Sequence, residues 1–402
     1  MSKPESPKAD PPIPLSIPVM QGNEWTYIKE CLDTGWVSSV GSYVTCFEKE
    51  LAAYIGERYA VATSTGTAAL HTALMVAGIG PDEDVLVSTL TFIASANAIR
   101  YVGAHPAFID AEPNYWQMDA EKVKHFVEER CRWQNDELRN RRTGRRVRAI
   151  MPVHVLGHPV DMEPIMEIAR QYKLIVIEDA TEALGSKYKG QMVGTLGDMA
   201  CFSFNGNKII TTGGGGILVT DDRTYADRAR YLTTQAKDRT SEYIHHEVGY
   251  NYRLTNLQAA MGVAQLECLP EVIKTKRQIA ERYNPALADL PGITVMPEAD
   301  WAQSNLWLYS ILVDRNEFGM DSRLLRAILE DANIESRPLW QPLHMSKAHR
   351  TSLKVDNPVA EKLYQDALSL PCSANLTEDQ QNFVIERIRA AAKRKPDVSS
   401  KQ

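Results

Sequence analysis

Cys201-Phe202-Ser203-Phe204-Asn205-Gly206-Asn207-Lys208, continued by Ile209-Ile210-Thr211-Thr212 and the four glycines Gly213 to Gly216, reads as an apolar strand that carries a lysine into a flexible turn. Most lysines are solvated surface charges. A surface lysine needs neither the apolar run before it nor the glycine turn after it, since glycine serves where the backbone bends sharply or approaches another group closely. Lys208 also stands 29 positions after Asp179, which closes a second apolar run, Leu174-Ile175-Val176-Ile177-Glu178-Asp179. Open α/β sheets bind ligands at the carboxyl ends of their strands, so two strands that end in chemically active residues point to that class of fold.

Outward from these two runs, others recur at Tyr59 to Thr63, Val85 to Val87, Ala107 to Ile109, Ala149 to Val153 and Ile217 to Val219, which makes about seven strands. Nearly continuous hydrophobicity suits strands covered on both faces, as in a mostly parallel sheet. Leu70, Ala73, Leu74 and Ala77 mark one face of a helix, and further helices are expected at Met162 to Gln171 and Asn256 to Leu266. After Leu269-Pro270 the texture becomes a charged helical pattern, Val272 to Leu287, then short strands near Ile293 to Met296 and Leu306 to Val313. Thr377-Glu378-Asp379-Gln380 has the form of a capping box before a final helix. The expected organisation is an α/β domain over 13–270 and a smaller α+β domain over 271–392, with disordered polar or proline-rich tails at 1–12 and 393–402.

A chain of 402 residues exceeds what one hydrophobic core usually serves, and 44% hydrophobic with 24% charged residues is ordinary for a globular protein. The net charge of −6 gives no global reason to expect nucleic acid or an anionic membrane as partner. Six scattered cysteines show no metal-ligand spacing, so free thiols in a reducing compartment are expected and no metal. The amino terminus lacks a signal-peptide apolar run, and no stretch approaches the roughly 18 apolar residues of a membrane span. A cytoplasmic protein is the expectation. Arg130 to Arg148 holds eight arginines and one aromatic residue, Trp133, which suits a solvated hairpin or loop better than a nucleic-acid patch. Some of these arginines could attract a diphosphate.

Thr63-Ser64-Thr65-Gly66-Thr67-Ala68-Ala69-Leu70 follows a strand and opens a helix. The first-turn N–H groups lack helical partners and the helix dipole favours an anion, so a phosphate fits at Gly66, Thr67 and Ala68; a plain Ser/Thr cap reads the same way. Ser203 is placed either to bind that phosphate or to serve as an ordinary strand serine. Asp179 suits a protonated ring nitrogen, a helix cap or a metal. A lysine that can form a Schiff base, a carboxylate for a pyridinium nitrogen and a phosphate site are together what pyridoxal 5'-phosphate requires of a protein. Lys208 would attach the cofactor and, once freed, move a proton at the substrate carbon.

The whole constellation resembles the DegT/DnrJ/EryC1/StrS family of sugar aminotransferases, over roughly residues 13–390. The matching stretches are Gly35-Trp36-Val37-Ser38, Thr65 to Leu70, Pro152-Val153-His154, Ile177-Glu178-Asp179-Ala180, Ser203-Phe204 through Lys208, Gly249-Tyr250-Asn251-Tyr252-Arg253, and Arg337-Pro338 with Pro342-Leu343-His344. The resemblance implies a fold type I pyridoxal-phosphate enzyme with Lys208 as the attachment point and Asp179 on the ring nitrogen. It also implies Gly66, Thr67 and Ser203 on the phosphate and Phe92 stacked on the ring, where burial habits alone would make Phe92 a core residue. Asn251 and Arg253 match a segment that reaches the neighbouring subunit's phosphate, which implies a homodimer with active sites at the subunit interface. Trp36, His154, Arg337 and His344 match substrate-side positions, although a satisfied structural histidine is an equal reading of His154, and a structural role is equally open for His344 and Arg337.

Three residues after Asp179 many family members carry Gln or His near the cofactor's 3-hydroxyl, whereas this chain has Glu182. That departure resembles the branch acting on UDP-linked 4-keto-6-deoxy sugars of the bacillosamine or legionaminic type. The implied activity is a ping-pong amino transfer. L-glutamate gives its amine to form pyridoxamine 5'-phosphate, and the amine then passes to the C4 keto carbon of a nucleotide-linked hexose, with a UDP-2-acetamido-2,6-dideoxy-4-keto sugar as the expectation. The product class is a deoxyamino sugar for lipopolysaccharide or O-antigen synthesis. Rival readings are a pyridoxal-phosphate sugar dehydratase, a silent cofactor- or sugar-binding regulatory protein, and a nucleotide-sugar oxidoreductase. Lys208 stands where the dehydratases have histidine, and Ser64 to Leu70 offers one glycine where a dinucleotide fingerprint needs three.

Overall fold

The computed structural model describes residues 7–238, 241–354 and 356–392. Seven strands form the centre of the main sheet: β1 (Tyr59–Thr63), β2 (Glu83–Ser88), β3 (His105–Ile109), β4 (Arg146–Met151), β5 (Ile175–Asp179), β6 (Met199–Ser203) and β7 (Gly216–Thr220). They lie in the order β1-β7-β6-β5-β4-β2-β3. Every neighbouring pair is parallel except those of β7, which runs antiparallel to both β1 and β6. Almost all residues of β5, β6 and β7 are buried, as their unbroken apolar composition requires when helices cover both faces.

Two short additions widen the sheet: Leu353–Lys354 beside β3, and a hairpin, Cys131–Gln134 with Glu137–Asn140, beside β4. The hairpin is where the arginine-rich stretch falls. It joins at Arg139 opposite Arg146, the amino-terminal end of β4, so its arginines lie at the end of the sheet away from the strand ends that carry Asp179 and Ser203. Arg145 is tied to buried Asp84 at 2.6 Å and Arg139 to Glu137 at 2.6 Å. The expectation that some of these arginines attract a substrate diphosphate is therefore withdrawn.

One helix of 32 residues, Asn256–Leu287, runs unbroken through Pro270 and Pro285, where the sequence suggested two helices divided at Leu269-Pro270. Proline deletes one helical N–H and crowds the preceding turn. Here the apolar residues on both sides of Pro270, including Val263, Leu266, Leu269, Val272 and Ile279, are buried as one face, and that burial outweighs the local penalty. The helix starts on a capping box between Thr255 and Gln258. Its first half packs on Glu24–Thr34 and Ser42–Ile55, and it also meets the terminal helix Glu378–Ala392. A three-stranded antiparallel sheet, Ile293–Val295, Tyr309–Val313 and Ala367–Leu370, forms the core of the carboxyl-terminal part.

The expected tail at 1–12 begins outside the described residues, but its later part is held. Ala9 N–H donates to Ala332 O at 2.9 Å, and Asn333 Nδ2 donates to Ala9 O at 3.0 Å. Residues 393–402 lie outside the described residues. Among the described residues no helix is long and apolar enough to cross a membrane.

Phe47 shows how the outer helices support the sheet. It is fully buried, meets Phe204 edge-on with ring centroids 5.1 Å apart, and lies where a Cβ on Gly262 would come within 2.8 Å of its ring. Phe47→Ala is expected to cost about 3–5 kcal/mol of stability, read from urea unfolding, and to loosen the Phe204 segment that leads to Lys208.

Candidate active site

Gly216 pairs with Thr63 on one side and with Ser203 on the other, and a Cβ placed on it would lie 2.4 Å from Thr65 O and 2.5 Å from Gly66 N. Only glycine permits that approach. It brings the start of the helix Gly66–Val76 against the end of β6, so that a Cβ on Gly66 would lie 2.7 Å from Ser203 Cβ. Thr65 caps the helix by accepting from Ala68 N–H at 3.0 Å, so Ala68, expected among the phosphate ligands, has its N–H occupied. Among the described residues the N–H groups of Gly66 and Thr67 and the hydroxyl of Ser203 have no hydrogen-bond partner, and they lie beside one another at the positive end of a helix. An anion fits this cradle.

Asp179 ends β5, level with Cys201 of β6. Its Oδ2 accepts from Ser95 Oγ at 2.6 Å and its Oδ1 from Thr181 N–H at 3.2 Å, which leaves further lone pairs on a buried carboxylate for a protonated ring nitrogen. The preceding residue, Glu178, faces away from the cavity. Burial alone would push its carboxyl up, but His154 and the N–H groups of Gly197 and Gly194 outweigh that and hold it low. Val160 N–H donates to His154 Nδ1 at 3.0 Å, so the ring proton sits on Nε2 and is donated to Glu178 Oε2, also at 3.0 Å. His154 is thus a fully satisfied core residue, and the substrate-side expectation for it fails.

Lys208 lines a cavity of about 400 Å³ together with Gly66, Thr67, Phe92, Asp179, Glu182 and Ser203. All seven were singled out from the sequence. Asn205 O accepts from Lys208 N–H at 3.0 Å, so the lysine closes a tight turn. Its Nζ lies 3.7 Å from Glu182 Oε1 and 4.1 Å from the centroid of the Trp307 ring. Glu182 Oε2 accepts from Leu156 N–H at 2.8 Å, and burial pushes its carboxyl from 4.5 up to about 7, against the opposing pull of Lys208 and that N–H. Phe92 is 55% exposed at the cavity; a core role for it is excluded, and a flat ligand ring can lie on it.

Other expected residues stand elsewhere. Trp36 is 57% exposed in a separate depression with Cys31, Tyr43 and Asn256. Arg337 pairs with Glu335 at 2.7 Å and lines a groove against Ile13 and Ile17. His344 is buried between Thr89 Oγ1 at 2.7 Å and Glu361 Oε1 at 3.0 Å. Arg253 donates to Glu48 Oε1 at 2.7 Å and to Ala62 O at 3.1 Å, and Asn251 is exposed; neither lines the cavity of its own chain. The sequence reading missed Ser95, Thr181 and two stacked indoles in the wall, Trp307 and Trp340, whose centroids are 6.3 Å apart. Trp340 closes the stretch already matched at Arg337-Pro338, whereas Trp307 inside an apolar run carries no local signal.

Two outcomes follow from this geometry. Gly66→Ala forces Ser203 aside and should weaken pyridoxal-phosphate binding at least about tenfold, equivalent to about 1.4 kcal/mol, in a fluorescence titration. For Glu182, the folded state holds its proton to about pH 7 and the unfolded chain releases it near 4.5. The folded state therefore binds more protons between those values, and stability falls as pH rises through them. Urea unfolding of the cofactor-free chain should show wild type losing about 3 kcal/mol relative to Glu182→Gln across this window.

Residues 18–389 match the model of the DegT/DnrJ/EryC1/StrS aminotransferase family. The chain is 40% identical over 376 residues to the GDP-perosamine synthase of Caulobacter vibrioides, an alignment covering 93% of this chain and 97% of that one. It is also 40% identical to the GDP-perosamine synthase of Escherichia coli O157:H7, covering 94% and 97%. Among solved structures it is similar to Streptomyces venezuelae DesV in complex with a ketimine intermediate, with 31% identity, a TM-score of 0.83 and coverage of 92% and 95%. The cradle beside Ser203, the buried Asp179 and the lysine between Glu182 and Trp307 fit the cofactor that this family uses. The chain belongs to the DegT/DnrJ/EryC1/StrS family, the pyridoxal phosphate-dependent sugar aminotransferases of fold type I.

Proposed function

We propose that the protein moves an amino group from L-glutamate to the C4 keto carbon of a nucleotide-linked 6-deoxyhexose, with guanosine diphosphate as the carrier. The observation that carries this reading is the single cavity in which Lys208, Asp179, Glu182 and the Gly66–Ser203 cradle meet. Support for the carrier comes from two relatives at 40% identity, each named for GDP-perosamine. The UDP-linked carrier suggested by Glu182 becomes the competing arm of the test.

In this reading Gly66 and Thr67 N–H and Ser203 Oγ hold the cofactor phosphate, Asp179 keeps the ring nitrogen protonated, and Phe92 supports the ring face. Bound pyridoxal phosphate supplies a carbonyl that exchanges amines and an electron sink that acidifies the substrate carbon. Lys208 anchors the cofactor, and its freed amine takes and returns the proton at that carbon. Ser95 and Thr181 fix the Asp179 carboxylate so that its charge is oriented before ligand arrives. Asn251, exposed and outside its own cavity, supports a homodimer in which this segment serves the other subunit; exposed Trp25, Leu32, Trp36 and Val40 offer an apolar face for the contact.

With pyridoxal phosphate the full chain should show the visible band of a lysine-linked cofactor, and L-glutamate should bleach it. Lys208→Ala should lose the linkage and at least about 1,000-fold in turnover. Given GDP-, UDP- and dTDP-linked 4-keto-6-deoxyhexoses with glutamate, mass detection should find the GDP sugar aminated fastest. A faster UDP arm overturns the carrier, and no amination of any sugar overturns the proposal.

A further inference from the structure

The amine of Lys208 has two neighbours, Glu182 Oε1 at 3.7 Å and the face of Trp307 at 4.1 Å. Asp179 is the only other carboxylate among the residues lining this cavity. Trp307 is held through both its side chain and its backbone. Its Nε1 donates to Asn207 O at 2.7 Å, gripping the turn one residue before Lys208. Its N–H donates to Asn305 Oδ1 at 2.9 Å, and its carbonyl accepts from the buried ammonium of Lys276 at 2.9 Å. Lys276 also donates to Cys372 O at 2.8 Å, so a buried charge is committed to fixing this short backbone segment.

Asn305 links the two neighbours of the amine. Its Nδ2 donates to Glu182 O at 3.0 Å and to Leu184 O at 2.9 Å, while its Oδ1 holds Trp307 N–H. Gly157, in the left-handed region at φ 91°, is needed there because a Cβ would come within 1.9 Å of Asn305 Oδ1. One buried amide therefore sets the spacing between a carboxylate and an aromatic face, and the Lys208 ammonium occupies the gap. A cation over an indole face is stabilised by the ring's negative quadrupole, most strongly where water is excluded.

We propose that Trp307 is a positioning residue for Lys208: its indole face receives the freed ammonium and holds that proton on Nζ between the two proton transfers, opposite Glu182. The inference rests on the proposed role of Lys208 as cofactor anchor and proton carrier. Glu182 supplies charge, and Trp307 supplies a second, uncharged support that fixes direction. The small carboxyl-terminal part thereby reaches the amine through Trp307, against which Trp340 stacks.

The test uses tryptophan analogues of increasing fluorination placed at position 307 of the full chain, which weaken the ring quadrupole while keeping shape and the Nε1 hydrogen bond. The cofactor is stripped, and acylation of Lys208 by an amine-reactive reagent at fixed pH is followed by peptide mass. A weaker cation–π contact leaves more free base, so acylation should accelerate stepwise, by about fivefold over the series. A flat series overturns the inference. Preincubation with pyridoxal phosphate should block acylation of Lys208 in the unsubstituted chain. Absence of that protection overturns the anchoring role itself, whereas protection with a flat series removes only the part assigned to Trp307.

Discussion

The contact of Gly216 with the Thr65–Gly66 peptide is the constraint on which the rest of this site depends. Strand β7 is the one antiparallel strand of the central seven, and it can lie between β1 and β6 only because no side chain stands at its first position. That insertion sets the unpaired N–H groups of a helix next to Ser203, at the root of the turn that carries Lys208. Had any side chain occupied position 216, the helix would be pushed from β6 and the anion cradle would open. The close approach at Gly216 and the shape of the anion cradle are thus one feature of the fold.

Charge is the second organising theme. Asp179, Glu182 and Glu178 are buried, as are His154 and Lys276, and each would be costly alone. Each is satisfied differently. Glu178 is surrounded by donors and held as a carboxylate, which makes it structural. Glu182 has one backbone donor and a lysine, and burial leaves its carboxyl near neutrality, which makes it responsive. Nearby positions along β5 and the following turn therefore carry a structural acid, an acid held by Ser95 and Thr181 at the cavity, and a titrating group, distinguished by their hydrogen bonds and not by their residue type.

Much of this was legible in the chain. Unbroken apolar runs located the seven central strands, because strands buried on both faces have no polar side to show. Gly66, Thr67, Ser203, Asp179 and Lys208, which share one cavity, stood out in the chain because their signals are local: a glycine turn, a helix start and an acid at a strand end. Pro270 misled, since a proline rule is local and the burial that overrides it is not. For His154, His344 and Arg337 the fold supplied what the sequence left open, the partners that each side chain takes within the chain. A polar residue in a recognisable stretch looks the same whether it faces the ligand or is tied to Glu178, Thr89 or Glu335.

The sequence alone determined the class of fold and the cofactor chemistry, because each rests on spacing within one or two adjoining elements. Only the tertiary structure decided which polar groups share the cavity. It alone brought Trp307, 99 positions beyond Lys208, over the amine, and placed the arginine hairpin at the far end of β4. Such placements depend on long-range packing and on backbone hydrogen bonds from Asn305 and Lys276, which leave no periodic trace in the chain. For Lys208 the sequence supplied the amine and its acid, and the fold supplied the face on which the amine rests.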